Sequence, residues 1–261
     1  MPVDHAGDPT TAPWVGCGLV VDPSTIGGTG SFLERMTAVA TITESAGYAA
    51  LLVAESAPGA AFGEPYSLLG ALSASTSRLH LGVLPWGVDR RAPSIVAKIV
   101  TAVDVISHGR ALLVVGSDGQ TAAASRGHLR EALMVTAGVV NGTDTTFDGT
   151  YFSIHGASNR PAPVQVDGVP VLAVVDCAGG HEAESMGLLA ESAGIADGLI
   201  VTGGAAGVTA ARSAARDAGR PKLPVLVMAD PGATSGLGAD GVLVRWAGGD
   251  PEAIVDLLPA D

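Results

Sequence analysis

Short, continuous runs of apolar residues, rich in Val, Leu and Ile, recur along the chain between segments with helical spacing. The runs are Trp14–Val21, Ala50–Ala54, Leu79–Leu84, Ala111–Gly116, Val169–Val175, Gly198–Val201, Pro224–Met228 and Gly241–Val244. Continuous apolar character is typical of strands that are buried on both faces of a parallel sheet. Eight runs alternating with helices favour a closed (β/α)8 TIM barrel, and periodicity alone leaves an open doubly wound sheet as the alternative.

Capping residues mark the ends of several predicted helices. Ser31-Phe32-Leu33-Glu34 has the spacing of a capping box, and Gly47 stands where a left-handed glycine would end that helix. Pro93 opens a second helix, which runs through Val105 and stops at Gly109. Three further helices are predicted over Arg126–Val140, Glu182–Ala193 and Val208–Ala218.

The chain of 261 residues is close to the ~250 that are typical of one barrel, so we expect a single domain over residues 14–261. Residues 1–13 have no Lys or Arg and no apolar stretch, which predicts a flexible leader rather than a secretory signal. Residues 143–167 are an insertion after the fourth helix. Between strands 7 and 8, residues 230–240 leave almost no room for a helix, which predicts a shortened connection.

The net charge of the chain limits the classes of molecule that it can bind. The chain has 14 Lys+Arg against 26 Asp+Glu, a formal net charge of −12, which argues against binding to nucleic acid or to an anionic membrane surface. No apolar run reaches the ~18 residues that a membrane span needs. We therefore expect a cytoplasmic protein that acts on small molecules.

The loops that follow the strands, where a barrel builds its active site, are rich in glycine and poor in ionisable groups. That composition favours a bound cofactor over acid–base machinery made of side chains alone. Cys177–Gly180, which opens onto a helix at Glu182, predicts a phosphate cradle, because small residues let backbone N–H groups approach an anion. An ordinary strand-to-helix turn is the alternative. His181 is the one histidine predicted on such a loop.

Other chemically notable residues have structural interpretations. Cys17 and Cys177 fall on opposite sides of an eight-stranded barrel, so no disulfide is expected. No two of the six histidines have the spacing of a helical zinc site, and no metal is predicted. Asp104 and Arg110 flank a helix-to-strand turn at the N-terminal face, where we predict a structural ion pair.

Several collinear segments resemble the signature of the bacterial luciferase-like monooxygenases. The most specific are Arg78–Val83, Pro93–Lys98 and Asp104–Arg110, in the family's order and at similar spacing. Weaker matches are Arg130–Leu133, Phe147–Phe152, Arg160–Gln165 and Ala196–Gly198. Together they extend over roughly residues 31–201.

This resemblance implies a (β/α)8 barrel, often dimeric, that binds either FMN or the deazaflavin coenzyme F420. It implies that the ring packs against Gly82, Val83 and Leu84, and that the ribityl chain and phosphate are held by Gly116, Ser117, Gly179 and Gly180. The cofactor would carry the redox chemistry while the protein positions it. Trp86 and Trp246 are candidate apolar walls, and Trp86 and His181 are the candidate substrate contacts.

The chain also departs from the family pattern. Family members often carry an acidic residue followed by His at the end of strand 2, where this chain has Glu55-Ser56. Glu55 is therefore the candidate proton carrier or polar anchor. The long family segment between strands 7 and 8 is nearly gone, and lids of this kind exclude water and complete sites.

Two hypotheses from different classes follow. The first is an oxidoreductase or monooxygenase, forming a homodimer, that uses reduced FMN or deazaflavin on a small organic substrate. The second is a cofactor-free, non-catalytic barrel that serves in binding or assembly. A phosphosugar enzyme is a third reading, but the loops lack the lysines or acid pairs that it would need.

Overall fold

The predicted barrel is present. The structure is a computed structural model that describes residues 12–26, 30–55, 64–85, 91–116, 122–142, 144–179 and 182–258. The strands are β1 (Cys17–Val21), β2 (Ala50–Ala54), β3 (His80–Leu84), β4 (Ala111–Gly116), β5 (Thr145–Asp148), β6 (Ser153–Ala157), β7 (Val171–Val175), β8 (Gly198–Val201), β9 (Val225–Ala229) and β10 (Gly241–Trp246). Eight of them close a parallel barrel in the order β1-β10-β9-β8-β7-β4-β3-β2, which excludes the open sheet.

Helices connect most of the barrel strands. They are α1 (Phe32–Ala46), α2 (Pro65–Ser73), α3 (Pro93–Ile106), α4 (Ala122–Asn141), α5 (Glu182–Ala193) and α6 (Gly204–Asp217). The capping box of α1 is present, because Ser31 and Glu34 exchange backbone and side-chain hydrogen bonds, and Gly47 ends the helix at φ 94°. Helix α2 was not predicted from the sequence. No described helix is long and apolar enough to span a bilayer.

Two connections differ from the regular repeat, and the second is the shortened connection that the sequence predicted. The insertion after α4 contains an antiparallel hairpin of β5 and β6. The connection from β9 to β10 consists of turns, with no helix among its residues. After β10, a 3-10 helix over Pro251–Leu257 packs against α1 in place of an eighth α-helix.

Alternate residues of each barrel strand belong to two separate apolar cores. Leu19 and Val21 pack in the layer between the barrel and the helices, whereas Val20 packs inside the barrel. Trp14 fills the N-terminal end of the interior and is 4% exposed. Gly198 allows this, because a Cβ there would lie 2.7 Å from the Trp14 ring.

Polar side chains at the N-terminal end of the barrel hold the starts of strands. Asp197 Oδ2 accepts from Val171 N over 2.9 Å, and Asp240 Oδ2 accepts from Val225 N over 2.7 Å. In both cases the residue before one strand binds the first amide of the strand beside it. Such contacts secure the strand register at the face that serves stability rather than catalysis.

The predicted ion pair between Asp104 and Arg110 is wrong. Buried Asp104 accepts from Val164 N over 2.8 Å and from Gln165 Nε2 over 2.7 Å. The Arg110 guanidinium donates to the carbonyls of Ser107 and Leu79, each over 2.8 Å, and to other acceptors at the end of α2. Each charge therefore ties down a different loop, because the turn directs the two side chains to separate partners.

Candidate functional site

An apolar floor lies at the carboxyl ends of the barrel strands. It consists of four half-buried side chains that pack on the interior core: Ala54, Leu84, Val174 and Met228. Each is the last or the last but one residue of its strand, β2, β3, β7 or β9, so they come from strands around much of the barrel. We call these four residues the floor. Partly exposed apolar side chains in a concave position are what a flat aromatic ligand requires.

Glu55 follows β2 at the rim of this floor. Its amide donates to Leu84 O over 2.8 Å, which fixes the backbone beside β3. Its carboxylate accepts from Arg91 Nη1 over 2.6 Å, and the Glu55 side chain is only 5% exposed. This geometry is that of a polar anchor, one of the two roles expected for Glu55.

Arg91 joins three segments of the chain. Besides Glu55, its guanidinium reaches Glu64 Oε2 at 3.3 Å and lies over the Tyr66 ring, 5.2 Å from the centroid. Burial alone would lower the pKa of Arg91, but the hydrogen bond to Glu55 and the charge of Glu64 outweigh it and raise that pKa. Burial, with a smaller contribution from Glu55, raises the pKa of Tyr66. The cluster therefore holds a charged guanidinium beside a neutral phenol.

A cavity of about 40 Å³ lies between β4 and the helices α3 and α4. Its lining includes Glu55, Tyr66 and Arg91 at one end and Thr136 at the other. Gly116, predicted to contact a cofactor, also lines it. In the described conformation the cavity has room for water or a group of a few atoms, not for a ring system.

The turn after β7 is the predicted phosphate cradle. Where the structure describes it, two of its backbone amides are already hydrogen-bonded to other protein groups. The amides of Cys177 and Ala178 donate to Thr202 Oγ1 over 2.8 and 3.2 Å, and the Thr202 hydroxyl donates to Asp176. Glu182 and Glu184 occupy the first turn of α5. The described part of the turn thus has engaged amides and neighbouring carboxylates, and it does not fit a phosphate.

Cysteine chemistry is not favoured at this turn. Burial, with a smaller contribution from Asp176, raises the pKa of the Cys177 thiol to about 11. Burial raises that of Cys17 to about 11 as well. Both cysteines are free, as predicted, and both are protonated thiols at neutral pH.

The remaining predicted site residues fall into three groups. Gly82 faces the interior of the barrel, where a Cβ would lie 2.9 Å from Leu52 Cδ2, and Val83 is buried in the outer layer. Trp246 also packs in the outer layer, so the prediction that it walls the mouth is wrong. Four predicted residues lie outside the described part of the chain: Ser117, Trp86, Gly180 and His181.

Sequence reasoning missed Arg91, Glu64 and Tyr66. A signal was available, because Glu55 follows β2 and Arg91 lies between β3 and α3. Loops that follow adjacent parallel strands meet at the same edge of a barrel. Oppositely charged residues in such loops are therefore candidates for an ion pair even when 36 residues apart in sequence.

Comparison with known proteins defines the class. The family described as luciferase-like monooxygenase matches residues 16–234, and the chain therefore belongs to that family. No curated protein sequence matches the chain significantly.

Solved structures share the fold at low sequence identity. An F420-dependent secondary alcohol dehydrogenase with an F420-acetone adduct is 13% identical, with a TM-score of 0.73 over 93% of this chain and 96% of that one. The coenzyme F420-dependent tetrahydromethanopterin reductase of Methanopyrus kandleri is 18% identical, with a TM-score of 0.67 over 83% of this chain and 67% of that one. The FMN complex of the oxygenating constituent of 3,6-diketocamphane monooxygenase from Pseudomonas putida is 14% identical, with a TM-score of 0.62 over 82% of this chain and 66% of that one.

Proposed function

We propose that this protein is an oxidoreductase that binds a flavin-type cofactor, FMN or coenzyme F420, over the floor and acts on a small organic substrate. The observation that carries the proposal is the floor itself. Four apolar side chains stay half-exposed at the carboxyl ends of the strands of a luciferase-like barrel. Relatives of the same fold are named for F420 or FMN, which supports the cofactor class without choosing between the two.

The ring of such a cofactor fits the apolar floor. The floor is apolar, so the ring of the cofactor can stack on it. The Asp176–Gly179 turn, in contrast, offers no suitable place for the phosphate. We therefore assign the ring to the floor and leave Asp176–Gly179 out of the phosphate site. The roles predicted for Ser117, Gly180, Trp86 and His181 stay predictions.

When bound, the cofactor supplies hydride transfer or oxygen activation, which no described side chain of the site can perform. The protein's own residues have simpler tasks. Ala54, Leu84, Val174 and Met228 exclude water from one face of the ring. Glu55, held by Arg91, fixes a negative charge at the rim and so orients polar groups of a ligand.

Titration with FMN and with F420, followed by quenching of their fluorescence, tests the proposal. Val174→Trp fills the mouth and should weaken binding about tenfold or more. Met186→Trp adds the same side chain at an exposed site on α5 and should leave binding within about twofold. Binding that is equally strong in both variants would show that the ring does not lie on the floor.

In the turn after β7, the amides of Cys177 and Ala178 are not available for a phosphate, which favours a second candidate function. This candidate is a non-catalytic barrel used in binding or assembly. The two amides are bonded to Thr202, and Glu182 and Glu184 repel a phosphate there. If neither FMN nor F420 binds to the wild-type protein at any accessible concentration, this candidate replaces the first.

A homodimer is part of the proposal. Ile95 and Ile106 are each 53% exposed, and their spacing of three helical turns puts them on the same face of α3. Light scattering after size-exclusion chromatography measures the mass directly. Ile95→Glu should shift a dimer of this kind to monomer.

A further inference from the structure

Within the part of the chain that the structure describes, Arg245 is a cation that faces the mouth of the barrel without a partner. Leu243 packs in the interior core of the barrel, while Val242 and Trp246 pack in the outer layer. Because side chains alternate along a strand, Arg245 faces the interior. It stands near the carboxyl end of β10, opposite Val20 of β1, and it is exposed. Its guanidinium is therefore directed to the space above the floor.

The carboxylates of the mouth differ from Arg245 because most of them are already bound. Asp22 accepts from the amide and the hydroxyl of Ser24, over 2.9 and 2.7 Å. Glu55 is paired with Arg91. Among the residues that the structure describes, Arg245 makes no hydrogen bond or ion pair. The mouth thus has an unsatisfied positive charge, although the whole chain has a net charge of −12.

Asp230 is a nearby carboxylate that competes with a ligand for Arg245. It directly follows Ala229, which pairs with Val244 across β9 and β10, so it stands beside Arg245 in register. Both side chains are exposed, and no ion pair joins them within the described structure. An exposed pair of this kind contributes little, so an anionic ligand can displace it.

The rim is also open on this side. The β9–β10 connection has no helix, and nothing lies within 4 Å of the Cβ position at Gly232, Gly236 or Gly238. A charged end of a ligand can extend past the rim there. The turn after β7, three strands away around the barrel, has engaged amides and acidic neighbours instead.

From these observations we infer that Arg245 is the anion subsite of the mouth and binds the phosphate or carboxylate of a ligand that lies over the floor. The inference rests on the proposed function for the position of that ligand. The planar guanidinium of Arg can bind such a group through two parallel hydrogen bonds, which a Lys cannot do.

Inorganic phosphate is the first probe, added at constant ionic strength to the ¹⁵N-labelled full chain and followed by NMR. The Arg245 Nε–H signal should shift with phosphate, and Arg245→Gln should weaken phosphate binding about fivefold or more. Arg245→Lys should keep part of the affinity, and Asp230→Asn should strengthen it about twofold. Arg216→Gln removes the same charge from the exposed end of α6 and should change nothing.

A second titration identifies the source of the anion. If the cofactor supplies it, FMN should bind more tightly than riboflavin, which lacks the phosphate, and Arg245→Gln should abolish that preference. If phosphate binds at Arg245 but the preference survives Arg245→Gln, the anion belongs to the substrate.

Phosphate binding that is absent, or equal in Arg245→Gln and wild type, overturns the inference. Loss of all flavin and F420 binding with phosphate still bound at Arg245 overturns only the proposed function. Thermal melting checks that each variant is folded.

Discussion

Carboxylates in this protein often bind backbone amides rather than cations. Glu44 accepts from the amides of Ser77, Arg78 and Leu79 over 2.6–3.0 Å, and Asp104 holds the loop at Val164 and Gln165. A carboxylate that accepts several N–H hydrogen bonds fixes a loop in place. Removing the carboxylate from water costs free energy, and the charge-assisted hydrogen bonds offset that cost. Single residues of this kind determine how loops meet the barrel.

Asp104→Asn should lower stability and leave the mouth unchanged. An Asn amide nitrogen would face either the Val164 amide or Gln165 Nε2, so a partly buried donor loses its acceptor, at ~1–2 kcal/mol. Chemical denaturation measures the loss, and the affinity for FMN or F420 should stay within about threefold. Asp217→Asn, at the exposed end of α6, is the matched control. Lost cofactor binding with unchanged stability would contradict a purely structural role.

Residue roles were only partly predictable from the sequence. Glu55 is predictable because the family pattern has an acidic residue at the end of strand 2. Its partner Arg91 is not, because the bond between them exists only once β2 and β3 lie side by side. Asp104 and Arg110 were paired on proximity in sequence, whereas the turn between them directs each toward a different segment.

At the scale of elements, α4 and the hairpin of β5 and β6 form one unit. Glu131 on α4 accepts from the amides of Thr150, Tyr151 and Phe152 over 2.7–3.0 Å. His128, one turn earlier, stacks on Phe152 with ring centroids 4.9 Å apart. A single helix face thus holds the turn of the hairpin.

Glu131→Gln should destabilise this unit in a pH-dependent way. Burial alone would raise the pKa of Glu131, but the three amide bonds outweigh it and lower that pKa. Since the folded pKa lies below the unfolded value of ~4.3, the stabilisation is present above that pH and is lost as pH falls through the folded pKa.

The variant should therefore be less stable by ~1–2 kcal/mol at pH 7, and the difference should shrink in acid. Hydrogen exchange at residues 150–152 reports the local effect and denaturation the global one. A difference that is constant from neutral to acidic pH would contradict the assignment. Glu252→Gln, at an exposed position after β10 whose carboxylate holds no loop among the described residues, controls for the change of charge.

Elements with long apolar runs or clear capping residues could be predicted from the sequence, and elements without them could not. Long apolar runs and capping residues identified the eight barrel strands and the start of α1, because burial and caps are local properties. The nine-residue helix α2 begins at a proline and contains a central glycine, Gly70, which weakens its helical pattern. The hairpin was recognised only as an insertion, since its exposed strands lack a buried apolar face.

At the scale of the whole molecule, Trp14 closes the N-terminal end of the barrel. Trp14→Ala removes a large buried ring that the surrounding strands cannot replace, so we expect a loss of ~3–5 kcal/mol. Denaturation with urea measures it, and Trp14→Phe should recover about half of the loss. A loss below ~1 kcal/mol would mean that the barrel is closed by other side chains.

Barrel closure also constrains how the chain can fold during translation. Cys17 pairs with Val242, so β1 meets its second neighbour only when β10, the last of the eight barrel strands in sequence, has been made. Until β10 leaves the ribosome, the nascent chain presents two open sheet edges, at β1 and at β9. Pairing of such distant segments is slow and exposes intermediates to aggregation. The interval between synthesis of β9 and of β10 is therefore the period in which the unclosed barrel is most open to aggregation.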